Sequence, residues 1–272
     1  MKTALDIIIL ARDEEMNLPH ALRSVAPLGA KVWVVDNGST DRTPEIAKEA
    51  GAEFVWHREY VNQAQQFNWA LDHLPLTGKW VLRLDADEWL TKELADEIAR
   101  TLIDADKNSP RINADINGYY MKRRVYFMGR WIRHGGYYPT WILRLFRRGK
   151  ARSEEREMDE HVALAEGRAE RLKNDFADQN RKPLSEWLAK HRDYATREAR
   201  AALRGNISQT RKLKKSLYYL LPPFVRPVLF FMYRYFLRLG FLDGIAGLTF
   251  HFLQGLWYRW LVDMNIVKMR KD

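Results

Sequence analysis

Cysteine is absent from the 272 residues of this chain. That excludes disulfides, thiolate metal sites and cysteine nucleophiles, and it fits a reducing compartment. Long hydrophobic runs are lacking too. The opening "MKTALDIIIL" loses its apolar character at Arg12 and Asp13, with no extended apolar core or small-residue cleavage site of a secretory signal. It reads as the first core strand of a protein expected to stay on the cytoplasmic side. Near the C-terminus the longest uncharged stretch, Gly244 to Tyr258, falls short of the roughly 20 residues a bilayer crossing takes. Internal repeats and low-complexity linkers are missing as well. So is the glycine-rich basic loop that a nucleotidyltransferase carries after its first strand, where this chain reads "LARDEE".

What is present is unevenly placed. The net charge is +10, yet residues 1–105 hold 11 Lys/Arg against 18 Asp/Glu, and the remainder holds 34 against 17. An acidic front and a basic back call for different partners. "LDIIIL", "KVWVVD", "AEFVWH" and "KWVLRL" are short, β-rich and apolar, and read as strands buried on both faces. Between and after them the pattern predicts helices at Glu14–Val25, Pro44–Ala50, Ala64–Leu74 and Lys92–Ile103. Strand alternating with helix implies an α/β fold with a mostly parallel sheet, and ligands of such sheets bind beyond the carboxyl ends of the strands. The four strand ends are "ARDEE", "DNGSTDRT", "HRE" and "DADE", all polar and chemically capable. They are expected to converge on one rim.

Within that rim, "DADE" ends a hydrophobic strand in Asp85, Asp87 and Glu88. Carboxylates there are costly to bury without a positive partner. Two aspartates one residue apart offer hard oxygens to Mg²⁺ or Mn²⁺, with diphosphate and water filling the other positions. Asp36, at the second strand end, suits the N–H of a base or a ribose hydroxyl; Gly38 permits a tight turn, and Ser39, Thr40 and Asp41 suit caps.

After about residue 105 the pattern changes. "GYYMKRRVYFMG" and "WILRLFRRG" read as aromatic, arginine-rich strands around "RWIRHGGYYPT", whose glycines and tyrosines suit a mobile sugar-contacting loop. An acidic stretch holding "MDEHV" and a helix from about Leu184 to Ala202 follow. The tail has "RKLKK" and two aromatic segments, Ser216–Leu239 and Phe241–Met264, interrupted by Arg226, Arg234, Arg238, Asp243 and Arg259. Such segments suit amphipathic helices lying in an anionic headgroup layer, or a hairpin kinked at Pro222, Pro223 and Pro227. The expected division is a catalytic domain over 1–205 and a basic, aromatic, membrane-associating helical tail over 206–272.

The order "ILARDEEMNL", "VVDNGSTDRT", "QAQQFNWAL", "VLRLDADEWL", then "GRWIRHGGYYPTWILRLFRR", "DEHV" and "RKPLSEWLAKHRDYATREA", resembles the GT-A fold glycosyltransferases of family 2. It is most similar to their lipopolysaccharide-core glucosyltransferase-like branch, of the WaaE/KdtX type, over roughly residues 4–200. The resemblance implies a Rossmann-like GT-A fold and metal-dependent, inverting transfer of a sugar from a nucleotide donor, a UDP-sugar such as UDP-glucose. It implies that Ala11, Arg12 and Glu14 lie against the nucleotide, that Asp36 binds the base, and that Asp85 serves the ribose or metal region. Asp87 would coordinate Mn²⁺ or Mg²⁺, with His161 assisting. Gln66 and Asn68 would lie near the nucleotide sugar, Gln66 departing from the basic residue usual there. Glu160 would be the general base and Asp159 the alternative, while Arg144, Arg133 or His134 would stabilise the leaving diphosphate.

The implied acceptor is a lipid-linked saccharide or lipopolysaccharide core at the cytoplasmic face of a bacterial inner membrane. A polyprenyl-phosphate glycosyltransferase is the second enzymatic reading, and a non-catalytic membrane-docked nucleotide or nucleic-acid binding protein the third. Nucleic acid is not an expected partner, because the acids gather at the rim where a phosphate backbone would be repelled.

Overall fold

In a computed structural model the chain is described at residues 5–57, 59, 61–107, 115–154, 161–204 and 218–270. It divides into two compact units. The first takes its residues from 1–124, 140–155 and 160–181; the second takes them chiefly from 125–139 and 182–272.

The first unit opens with β1 (Leu5–Ala11), α1 (Leu18–Val25), β2 (Lys31–Asp36), α2 (Thr43–Glu49), β3 (Glu53–Trp56), α3 (Gln63–His73) and β4 (Trp80–Asp85). It continues with β5 (Glu88–Leu90), α4 (Lys92–Lys107) and β6 (Ile116–Phe127). Beyond β7 (Arg130–Ile132) come β8 (Thr140–Arg147), β9 (Ala151–Ser153), β10 (Val162–Leu164) and β11 (Arg168–Asp178). The main sheet runs β3-β2-β1-β4-β8-β6-β11-β5, with β7 paired to β6, and β9 and β10 form a separate ladder. Strands β3, β2, β1 and β4 are parallel, whereas β8 joins β4 antiparallel.

The period-2 alternation of β1 explains its apolar run from Ile7 to Ala11. Ile7 and Ile9 enter a core with Leu18, Leu22, Ala47 and Ile98 from α1, α2 and α4. Ile8 and Leu10 enter the opposite core, with Phe67 and Ala70 from α3. Helices therefore cover both faces, as alternating elements imply. Because β2 and β3 lie to one side of β1 and β4 to the other, the strand order reverses between β1 and β4. In α/β sheets that reversal opens the ligand crevice.

The second unit holds α5 (Leu184–Leu203), α6 (Val225–Met232), α7 (Gly244–His251) and α8 (Tyr258–Met269), with π-helical turns at Tyr233–Leu237 and Phe252–Trp257. Ala195 and Ala199 of α5 pack on Tyr258, Val262 and Ile266 of α8. The buried Arg226–Asp263 ion pair ties α6 to α8. Among the described residues no single helix is long and apolar enough to cross a membrane. Val225–Leu237 and Gly240–Met269 meet that composition only as a pair bent by 72°. The bend does not fall at the prolines. Pro227 sits in the first turn of α6, where no backbone N–H is required, and the chain turns instead at Arg238–Leu239, with Leu239 at φ +59°.

Candidate functional site

The register of the parallel strands brings the expected rim together. Ala11 stands opposite Asp36, Leu10 opposite Asp85, and Asp36 opposite Trp56. The loops after β1 and β2 are then stitched side chain to backbone. The Asp13 N–H donates to Ser39 Oγ (2.6 Å), Glu14 N–H to Thr43 Oγ1 (2.7 Å), and Glu15 N–H to Asp41 Oδ2 (2.9 Å). In return Thr40 N–H donates to Asp13 Oδ1 at 2.7 Å. Short polar side chains between strand and helix favour such local bonds. Here they fix the two loops against each other.

Asp36 is fully buried and organises its own turn. Its Oδ1 accepts from Gly38 and Ser39 N–H, both at 2.7 Å, and its Oδ2 accepts from the Ser39 hydroxyl at 2.5 Å. Three of its roughly four acceptor positions are thereby occupied, so a base or ribose contact is confined to the remaining one. Gly38 lies at φ +107° with open space where a Cβ would be, so backbone conformation rather than crowding requires glycine. Arg12 is exposed, 4.0 Å from Asp13. The carboxylate of Glu14 accepts from Asn17 at 2.7 Å.

Two other nucleotide-side candidates brace the scaffold. Gln66 is buried and donates to the carbonyl of Val35 at 3.3 Å. Asn68, also buried, bonds Ser153 twice, donating to its carbonyl (3.0 Å) and accepting its N–H (2.9 Å), and so pins β9 to α3. They bear on the rim through β2 and β9.

At the end of β4 the structure supplies positive partners that the sequence reading had assigned to a metal alone. Arg83 and Asp85 lie two residues apart on one face of the strand. Arg83 donates to Asp85 Oδ1 at 3.4 Å and to Ser153 Oγ at 2.9 Å. Arg144, from β8, donates to Asp85 Oδ2 at 2.9 Å and to Glu88 Oε1 at 2.5 Å. Glu88 also closes the turn by accepting the Asp85 N–H at 3.0 Å. Arg144 is therefore committed to two carboxylates. Burial by itself would raise the Asp85 pKa, but the guanidiniums of Arg144 and then Arg83 outweigh it and hold the carboxylate far below its usual range. Glu88 goes the other way. Burial, with the charges of Asp85 and Asp178, overcomes Arg144 and pushes it up to about 8.

Asp178 was not foreseen. β11 pairs antiparallel with β5, which sets Asp178 opposite Glu88, and the next N–H, that of Gln179, donates to the Asp87 carbonyl at 3.0 Å. Burial raises its pKa to about 6; Arg123, 3.4 Å away, opposes this, and the charges of Asp87 and Asp85 add to it. The sequence signal for the arginines was available, since Arg83 interrupts the apolar run "WVLRLD" and a charge inside a buried strand calls for a partner. Asp178 carried no such signal, because its place depends on a long-range pairing.

Asp85 is held ionised beside these arginines, and every donor at the turn is a hard oxygen. Among the described residues no three His, Asp or Glu side chains are grouped to hold a metal ion. A half-buried Asp87 on the β4–β5 turn fits instead a Mg²⁺- or Mn²⁺-type ion that takes one or two carboxylates and completes its shell with substrate phosphates and water. Of the remaining candidates, His161 is exposed and its carbonyl accepts the Glu154 N–H at 2.9 Å. His134 is engaged by Asp243 at 2.7 Å. Glu160 and Asp159 lie outside the described residues.

The family model described as glycosyl transferase family 2 matches residues 6–166. The lipopolysaccharide core biosynthesis glycosyltransferase LpsC of Rhizobium meliloti is 27% identical over 273 residues, covering 93% of this chain and 90% of that protein. An uncharacterized glycosyltransferase of Rickettsia typhi, RT0209, is 34% identical over 125 residues, covering 46% of this chain and 40% of its own length. A TPR repeat-containing protein of Synechococcus elongatus is 38% identical over 100 residues, 36% of this chain and 24% of its own. This chain therefore matches less than half the length of several of its curated relatives. Among solved structures, Staphylococcus aureus TarS 1–349 aligns over 98% of this chain and 90% of that one, with 15% identity and a TM-score of 0.45.

Proposed function

The chain belongs to glycosyl transferase family 2, and on that premise we propose that it moves a sugar with inversion from a nucleotide-diphosphate donor, a UDP-sugar such as UDP-glucose, to a lipid-linked saccharide or lipopolysaccharide-core acceptor. The observation that carries this reading is the convergence of Ala11, Asp36 and Asp85 on the rim where the strand order reverses, with Asp87 on the turn that follows. The acceptor side is supported by similarity to LpsC over most of the chain. It is supported further by the exposed apolar side chains of the C-terminal helices, which suit the cytoplasmic face of a bacterial inner membrane.

In this reading the nucleoside lies along the ends of β1 and β2, held by the stitched loops and the remaining acceptor position of Asp36. An acceptor hydroxyl attacks the anomeric carbon, its proton passes to a carboxylate, and the bond from that carbon to the diphosphate oxygen breaks. Glu160, with Asp159 as the alternative, is the proposed proton acceptor. A divalent ion on Asp87, with Asp85 beside it, supplies charge stabilisation for the departing diphosphate when bound. Arg144 acts through the carboxylates: it keeps Asp85 ionised and fixed, as its two bonds require.

The test is nucleotide release from a panel of nucleotide sugars, with Mn²⁺ and a bacterial membrane extract as the source of acceptors. Release from one UDP-sugar into a chloroform–methanol-extractable product supports the reading. Release that requires only a polyprenyl phosphate moves the assignment to the monosaccharide-lipid reaction. Neither release nor binding of any nucleotide sugar overturns the proposal.

A further inference from the structure

The bend between α6 and α7 exposes an unusual set of side chains. Leu237 is 76% exposed and Ile245 79%, and between them Leu239, Phe241 and Leu242 each remain nearly half exposed. A solvent-facing turn ordinarily carries polar residues. This one is largely apolar: of its two charged residues Arg238 is exposed, and Asp243 is turned inward and buried.

Asp243 is held by the segment "RWIRHGGY" of the same unit. It accepts the His134 N–H at 2.9 Å and pairs with the His134 ring nitrogen at 2.7 Å. The Gly135 N–H donates to the Arg238 carbonyl at 2.8 Å, and Arg234 donates to the Gly135 carbonyl at 2.7 Å while lying 3.7 Å from the centre of the Tyr137 ring. A Cβ at Gly135 would come within 2.0 Å of the buried His251 ring, so no larger residue fits. Gly135 thus serves close packing. The loop expected to be mobile is fastened to the bend, a difference from the sequence reading.

Arg238 lies exposed within this segment, and the exposed Arg130 donates to the Leu242 carbonyl at 3.5 Å. Exposed apolar side chains with arginines among and beside them suit a lipid leaflet, acyl chains inside and anionic phosphates above. The two helical segments have the composition of a membrane element only as a pair, and they meet at 72°.

We propose that the Leu237–Ile245 bend inserts into one leaflet of an anionic phospholipid membrane and carries the fastened His134–Tyr137 loop with it to the headgroup layer. This rests on the reading that the acceptor is membrane-borne, and it assigns the residues that meet the membrane.

The absence of cysteine makes the test direct. Single-cysteine variants Leu237→Cys, Ile245→Cys, Arg133→Cys and Met16→Cys of the full chain, all at surface positions, are labelled with an environment-sensitive nitrobenzoxadiazole dye. Each is titrated with phosphatidylcholine vesicles with and without phosphatidylglycerol. The expected result is a several-fold emission rise at 237 and 245, a smaller rise at 133 and none at 16, each weaker without the anionic lipid. Unchanged emission at 237 and 245 overturns the proposal. So does high emission there before vesicles are added, growing with protein concentration, because a second copy of the chain then covers the edge.

Introducing Asp87→Ala into the labelled chain keeps the two readings apart. It should remove donor turnover and leave the vesicle response intact, whereas a lost vesicle response with normal turnover refutes only the leaflet assignment. Asp243→Asn checks the fastening. The amides of His134 and Gly135 are expected to exchange about ten-fold faster while the label at 245 still responds. Unchanged exchange contradicts the coupling of loop and edge.

Discussion

The two units solve opposite problems. The first hides charge: Asp36, Arg83, Arg144 and Asp175 are each less than one-tenth exposed and are held by designated partners. The second shows apolar surface. Among the described residues twenty of its large hydrophobic side chains are exposed, Ile245, Leu220 and Leu237 most of all, against five in the first unit. Burying ions is costly and is tolerated where chemistry needs a fixed field. Exposing a contiguous apolar edge is costly too, and is tolerated where a partner covers it. In the proposed function the contrast gives donor chemistry to the first unit and acceptor access to the second.

The contrast can be broken most severely at the rim. Asp87→Ala is expected to lower turnover by roughly a thousand-fold, since it removes charge stabilisation of the leaving group. The far-ultraviolet circular dichroism should be unchanged. Normal turnover in that variant separates the acidic turn from the chemistry.

Next in size is Arg144→Met, which strands Asp85 and Glu88 without their shared cation. Breaking a buried pair in this way costs about 3–5 kcal/mol, read from urea midpoints. A loss below about 1 kcal/mol would mean the pair is solvated like a surface bridge. In the second unit, Leu237→Glu with Ile245→Glu should weaken sedimentation with anionic vesicles about ten-fold or more, because two charges replace two inserting side chains. Nucleotide binding should be untouched.

The smallest expected effects are pH dependences of opposite sign. Burial lowers the His191 pKa to about 4 from 6.5, so the unfolded chain takes up the proton first. Stability from this group is complete above pH 6.5 and is lost as the pH falls toward 4. His191→Gln should remove roughly 1 kcal/mol of that acid sensitivity after allowance for solvent screening. Glu88, raised to about 8 from 4.5, is protonated in the fold at pH 7, and its neutral form loses ground as the pH climbs through that range. Glu88→Gln in metal-free protein should therefore be near neutral below pH 4.5, should stabilise the fold at pH 7, and should flatten the decline between pH 4.5 and 8. A large loss at pH 7 would show that Glu88 is ionised there.

Much of the first unit was legible in the sequence because its signals are local. "LDIIIL" and "KVWVVD" announce doubly covered strands, and the polar residues that follow announce a rim; β1, β2 and the facing of Ala11 on Asp36 bear this out. The antiparallel remainder was harder. β11, "RAERLKNDFAD", carries charge on nearly every outward position and has no clean alternation, so neither it nor Asp178 was visible before its pairing with β5. The sequence also suggested kinks at Pro222, Pro223 and Pro227; the helical run does break at Pro222 and Pro223, whereas Pro227 fits a first helical turn and the 72° bend falls at Leu239. Proline marks where a helix is unable to continue, but a first turn accepts it; tertiary contacts to His134 and Gly135 decided the bend.

The central claim is that the acidic turn after β4 is a metal-assisted nucleotide-diphosphate site. The most direct measurement is calorimetric titration of UDP into wild-type and Asp87→Ala protein, each with Mn²⁺ and with EDTA. The account expects binding to the wild type that requires Mn²⁺ and is lost in the variant. Equal binding in all four titrations, or none in any, would contradict it.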